Sequence, residues 1–155
     1  MTVKIFIPER YKETADWMAR RKTSDAGRPI FQTYMDVMVF AAMIGYQLGE
    51  KDVVESKDRG AEIDSDVFEN RDKGGIAYLL SIHDKQEGDI LRDERQQECW
   101  QILEGYAARG LREIESWLVD SATDVDGVNT LLNRMKDWAV SSSRDDARVD
   151  PDVEW

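Results

Sequence analysis

The chain has 155 residues, with 32 Asp/Glu against 21 Lys/Arg, one His and one Cys, for a formal net charge of −11. One cysteine excludes an internal disulfide and fits a reducing cytoplasm, and one Cys with one His excludes a zinc site built from those ligands. The charge is uneven: residues 1–50 carry seven Lys/Arg against six Asp/Glu, and residues 51–155 carry fourteen against twenty-six. Nucleic-acid surfaces demand a basic footprint, so only the near-neutral first third is suited to face DNA.

Val3–Ile7 alternates, with Val3, Ile5 and Ile7 on one face and Lys4 and Phe6 on the other, which predicts a short strand. It is too short for the apolar region of a signal peptide and has no basic flank. Pro8 ends the strand and suits a helix start, so Glu9–Arg21 is expected as a helix with Tyr11, Ala15, Trp17 and Met18 on its apolar side. Thr23–Ile30 contains Ser24, Asp25, Gly27 and Pro29 and reads as a loop.

Tyr34–Leu48 is the most apolar run in the chain. Thr33 and Asp36 before it have the form of a capping box, and Gly49 after it is a C-terminal stop. Val37, Met38, Phe40, Ala41, Met43, Ile44 and Leu48 nearly encircle the helix, as in a buried central element. The run is shorter than the roughly 20 apolar residues that span a bilayer.

Glu50–Asp66 is polar and reads as a surface loop; Asp64 and Asp66 lack the companions of a calcium loop. Gly75–His83 is a second apolar helix, with His83 at its end in a structural role. From Cys99, apolar residues at Leu103, Tyr106, Ala107, Leu111, Ile114, Trp117 and Leu118 form one stripe, so Asp89–Val119 is expected as one long helix. Gly105 and Gly110 would each weaken it by about 1 kcal/mol relative to Ala, giving a bend near Ala108–Gly110. Cys99 lies on the stripe as a small core residue. Asp124 or Asp126 is the candidate cap for a last helix over Gly127–Val140.

These elements predict a mainly α fold: about five helices around the buried helix 34–48, with one short N-terminal strand. Residues 1–140 form a single helical domain, and 141–155 form an acidic, disordered tail ending in an exposed Trp155.

No phosphate loop, GxGxxG, CxxC or HExxH occurs. Asp93, Glu94 and Glu98 alternate with Arg92 and Arg95 as a solvated charged face. No enzyme activity, cofactor or metal is therefore expected. Strand, helix, loop, helix is also the order of a ribbon-helix-helix module, a dimer that reads DNA with its strands. On that reading Lys4 and Phe6 enter the groove, and Thr33 and Tyr34 approach phosphates. A third reading makes Asp64, Asp66 and Glu69 an acidic docking or DNA-mimicking face.

The stretch Phe31-Gln32-Thr33-Tyr34-Met35-Asp36-Val37-Met38-Val39-Phe40-Ala41-Ala42-Met43-Ile44-Gly45-Tyr46 resembles the F-x-T-Y-x-D-V-x-V-F-A-A-x-x-G-Y segment of the DNA phosphorothioation (dnd) system-associated proteins. Ile90–Arg95, then Ile102–Ala107 and Gly110-Leu111, are similar to that family's second segment. The resemblance covers Pro8 to Val119. It implies an accessory role in a bacterial system that places sulfur on the DNA backbone or restricts DNA lacking it. Partners would be other proteins of that system, with DNA through the N-terminal third and a homodimer as further expectations. The matching residues are mostly helix-packing positions, and no catalytic residue carries over.

Overall fold

A computed structural model describes residues 2–23, 26–55 and 59–146, with side chains through Ser141. The chain divides into two compact units, Met1–Ser116 and Trp117–Trp155. The first contains β1 (Lys4–Pro8), a 3₁₀ turn (Glu9–Tyr11), α1 (Lys12–Ala19), α2 (Tyr34–Leu48), β2 (Arg59–Asp64), α3 (Ser65–Glu69) and α4 (Gly74–Lys85). Two further 3₁₀ turns, Gly88–Leu91 and Asp93–Arg95, lead into α5 (Gln96–Asp120), which ends in the second unit, where α6 (Val128–Asp146) follows. The fold is mainly α, with six α-helices and one two-stranded sheet among the described residues.

The α2 helix forms as its ends dictate. The Thr33 hydroxyl accepts from the Asp36 N–H at 3.2 Å, capping the helix, and donates to the Asp36 carboxylate at 2.9 Å. Gly49 takes φ 71°, a left-handed stop that a side chain would strain. Val37, Met38, Ala41 and Ala42 are fully buried, and Ile44 nearly so. Each large apolar side chain so buried stabilises the fold by roughly 1.5–3 kcal/mol. The burial is not complete around the helix, because Met43 is 50% exposed.

α2 crosses α5 at two glycines. A Cβ on Gly110 would overlap the Ala41 carbonyl, and one on Gly45 would overlap the Tyr106 carbonyl. Ala41 meets Gly110 and Gly45 meets Tyr106, so the helices run antiparallel. Gly110, expected to weaken the long helix, is thus a point of contact with α2, and α5 is continuous through both Gly105 and Gly110. Trp100, Leu103, Ala107, Leu111 and Ile114 of α5 fill the core beside them. Phe68 of α3 and Trp100 pack ring to ring at 5.2 Å. Cys99 is fully buried, and its thiol donates to the Ile90 carbonyl at 3.3 Å, as its place on the stripe predicts.

Two segments differ from the sequence expectation. Residues 59–64 are a strand, not loop: β2 pairs antiparallel with β1, with Ile5 opposite Ile63 and Phe6 opposite Glu62. Only Ile63 of β2 is buried, so the strand carries too little apolar pattern to announce itself. Residues 89–95 form 3₁₀ turns rather than the first turns of the long helix, which starts at Gln96.

In the second unit, Trp117 and Trp138 meet edge to face at 5.3 Å. Asp124 accepts from the backbone N–H and the hydroxyl of Thr130, both at 2.8 Å, capping α6 as expected. α6 runs to Asp146, so the first residues of the expected tail are helical. Residues 147–155, Trp155 included, lie outside the described residues.

The crossing yields a test by substitution. Gly110→Ala drives a methyl into the α2 backbone and is expected to cost about 3 kcal/mol. Gly75→Ala in α4 meets only open space and is expected to be neutral or to stabilise by up to about 1 kcal/mol. Urea denaturation of the two variants, followed by circular dichroism, separates a packing role from a general intolerance of alanine.

Candidate functional site

A cleft of about 500 Å³ opens between the strands, the end of α1 and the start of α2. Its walls are Lys4 of β1, Glu62–Asp64 of β2, Ala19 and Arg20 at the end of α1, Gln32–Met35, and Val67 of α3. Several polar wall residues are held by a neighbour. Thr33 is held by its cap on α2. The Tyr34 phenol donates to the Asp16 carboxylate and receives the Lys12 ammonium at 3.2 Å. Burial pushes the Asp16 carboxyl up, but hydrogen bonds from Lys12 and Tyr34 outweigh it and hold the group below its ordinary range. The Arg20 guanidinium lies 4.8 Å from the centre of the Tyr34 ring. Lys4 forms an ion pair with Asp64, and this hydrogen bond raises the Lys4 pKa.

The structure gathers four of the seven residues singled out in the sequence, Lys4, Thr33, Tyr34 and Asp64, at this one cleft. The other three lie apart from its walls. Phe6 is half-buried under the Arg59 guanidinium, 4.2 Å from its ring centre. Asp66 accepts from the Thr2 hydroxyl at 2.7 Å, and Glu69 from Tyr78 at 3.3 Å and Gln96 at 3.4 Å. The three carboxylates of the expected acidic face therefore each have an internal partner. The pairing that a ribbon-helix-helix module makes between two chains is made here within one, β1 on β2.

Sequence reasoning passed over Arg20, Glu62 and Glu104. Arg20 belongs to the basic run Arg20-Arg21-Lys22, which the sequence explains as cations at a helix C-terminus, and Glu62 to a segment read as loop. Glu104 lies on the apolar stripe of α5 with 6% of its surface exposed. Its carboxylate accepts from the Phe6 N–H at 2.9 Å, which occupies the edge of β1 away from β2. An acidic residue at a core position of the stripe was the available signal. Burial pushes its pKa up to about 7, against the Phe6 hydrogen bond and the Arg59 charge, which lower it.

That shift sets a direction for stability. A carboxyl whose folded pKa exceeds its unfolded value binds more protons when folded, so its contribution is full at low pH and is lost as pH rises from about 4.5 to about 7. Glu104→Gln keeps an acceptor for Phe6 and cannot ionise. Urea midpoints measured across that window should fall more steeply with pH for the wild type than for the variant; parallel profiles would contradict the assignment.

Elsewhere several carboxylates are engaged in ion pairs. Asp84 accepts from Lys51 at 2.7 Å and from the Tyr106 hydroxyl at 3.0 Å. Glu98 accepts from Arg95 at 3.0 and 3.1 Å, and Arg95 also reaches Glu87 at 2.6 Å, the charged face expected there. Among the described residues, no group of three or more His, Cys, Asp or Glu side chains is placed to hold a metal ion. No helix among them is long and apolar enough to cross a membrane. His83 is exposed on α4, edge-on to Tyr46 at 4.9 Å.

Fold and cleft together define a mainly α protein with a two-stranded ribbon clasped to its helical core and a polar cleft beside the ribbon. The chain belongs to the family described as DNA sulphur modification system-associated protein 4, which matches residues 9–150. Membership associates it with a DNA sulphur modification system, as the resemblance implied, and the match reaches beyond the expected Val119 into α6 and past its end. β1 lies before the matched region and β2 within it. No curated protein and no solved structure matches the chain.

Proposed function

We propose that the chain is a non-catalytic accessory component of a bacterial DNA phosphorothioation-linked modification or restriction system, acting in the cytoplasm by binding another protein of that system. The observation that carries this reading is family membership across residues 9–150. Three features support a protein partner over DNA. The net charge of −11 repels a phosphate backbone. One cation of the cleft wall, Lys4, is also committed, to Asp64. The strands that a DNA-reading dimer would share are paired within one chain.

Mass by light scattering tests the reading. The protein is mixed in turn with a short DNA duplex and with each other protein of the system, at low and moderate salt. The expected result is a mass indifferent to DNA and raised by one of the proteins. A DNA complex that dissociates steeply as salt rises, with no protein complex, would replace this reading with a DNA-binding one.

A further inference from the structure

The ribbon has one edge closed and one open. Phe6 turns its N–H away from β2 to the Glu104 carboxylate, while Ser65 N–H donates to the Val3 carbonyl at 2.8 Å. In an antiparallel ladder hydrogen-bonded and non-hydrogen-bonded pairs alternate. Val3–Ser65, Ile5–Ile63 and Ile7–Ala61 are therefore the bonded pairs, and Phe6–Glu62 and Lys4–Asp64 are not. It follows that the N–H and C=O of Glu62 and the N–H of Asp64 point away from β1. No backbone partner for Glu62 exists among the described residues. Three consecutive strand residues, Glu62, Ile63 and Asp64, line the cleft although their side chains alternate faces, so it is the strand's open edge that forms the wall.

We infer that this open edge of β2 captures an extended segment of a partner protein as a third strand, and that Arg20 across the cleft receives an acidic side chain of that segment. The inference rests on the accessory reading above and specifies how its partner is held. Main-chain hydrogen bonds to Glu62 and Asp64 supply register, in the manner of strand addition. The apolar contact is Val67, 42% exposed at the cleft. The charge preference follows from which cation makes no ion pair. Lys4 is paired with Asp64 and Arg59 with Glu62 at 3.4 Å, whereas Arg20 makes no ion pair among the described residues. A carboxylate on the incoming strand supplies the counter-charge, and a basic strand would meet Arg20 with repulsion. Glu104 denies the same service to the edge of β1, so only one edge is left to recruit.

The probe is a set of overlapping 12-residue peptides covering the other proteins of the system, with binding read by fluorescence anisotropy. At least one peptide with an acidic residue is expected to bind. Glu62→Pro removes an N–H that the β1–β2 ladder does not use, and should weaken that peptide at least tenfold. Arg20→Glu should weaken it several-fold, with recovery when the peptide's acidic residue is changed to Lys. Hydrogen exchange on the wild type provides a check that needs no variant: the Glu62 and Asp64 amides should exchange fast in the free protein and become protected in the complex. Unchanged exchange at both amides on binding would overturn the inference, as would equal capture of a full-length system protein by wild type and a folded Glu62→Pro. Either result leaves the accessory reading standing. Failure of every full-length protein of the system to bind would remove both.

Discussion

Everything in the first unit depends on how closely α2 and α5 approach. Two helices carrying ordinary side chains at their crossing stand 8–10 Å apart. Here Gly45 and Gly110 each face a carbonyl of the other helix, leaving no room for even a methyl group. That contact draws Ala41, Ile44, Ala107 and Leu111 into one dry layer. It also fixes both ends of the surrounding chain. Asp52 N–H donates to the Gly105 carbonyl at 3.0 Å, and Glu50 and Asp52 hold Arg109 and Arg112 of α5, pinning the segment that leaves α2. On the same α5, Glu104 reaches the edge of β1, so the position of the ribbon is set by the helix that the glycines admit.

The parts of this fold that were legible in the sequence are those in which local chemistry and burial agree. α2 carried its cap, its apolar run and its stop within seventeen residues; the cap and stop are used as expected, and the run is buried except where residues such as Met43 face out. The α5 stripe, Cys99 included, is buried where its spacing placed it. What was not legible depends on distant partners. β2 has one buried side chain, and its charged residues are satisfied by Lys4 and Arg59, so nothing local separates it from a polar loop. Gly105 and Gly110 look like defects in a helix until the other chain segment is in place. The first turns expected of the long helix, at Asp89–Arg95, tighten into 3₁₀ geometry.

The cleft was legible by a different route. Lys4, Thr33 and Tyr34 were chosen for a DNA face and Asp64 for an acidic one, and the fold places all four on one surface. They converge because each is polar and lies at the end of an element, where side chains are free to meet. Charge counted along the chain does not show pairing between distant residues: Lys4 and Asp64, read in the sequence as parts of different faces, form an ion pair across the ribbon. Arg20 and Glu62 acquire meaning only once α1 and β2 are brought side by side.

The burial of Cys99 has a practical consequence. It is the single thiol of the chain, fully covered, on the first turn of the helix that carries the glycine crossing. A sulfhydryl reagent reaches it only when α5 detaches from the turn at Ile90 or when the layer beneath it parts. The labelling rate of the unaltered protein is therefore a clock for the opening of its own interior, with no introduced probe. Any ligand that ties the ribbon to the helices would be seen to slow it.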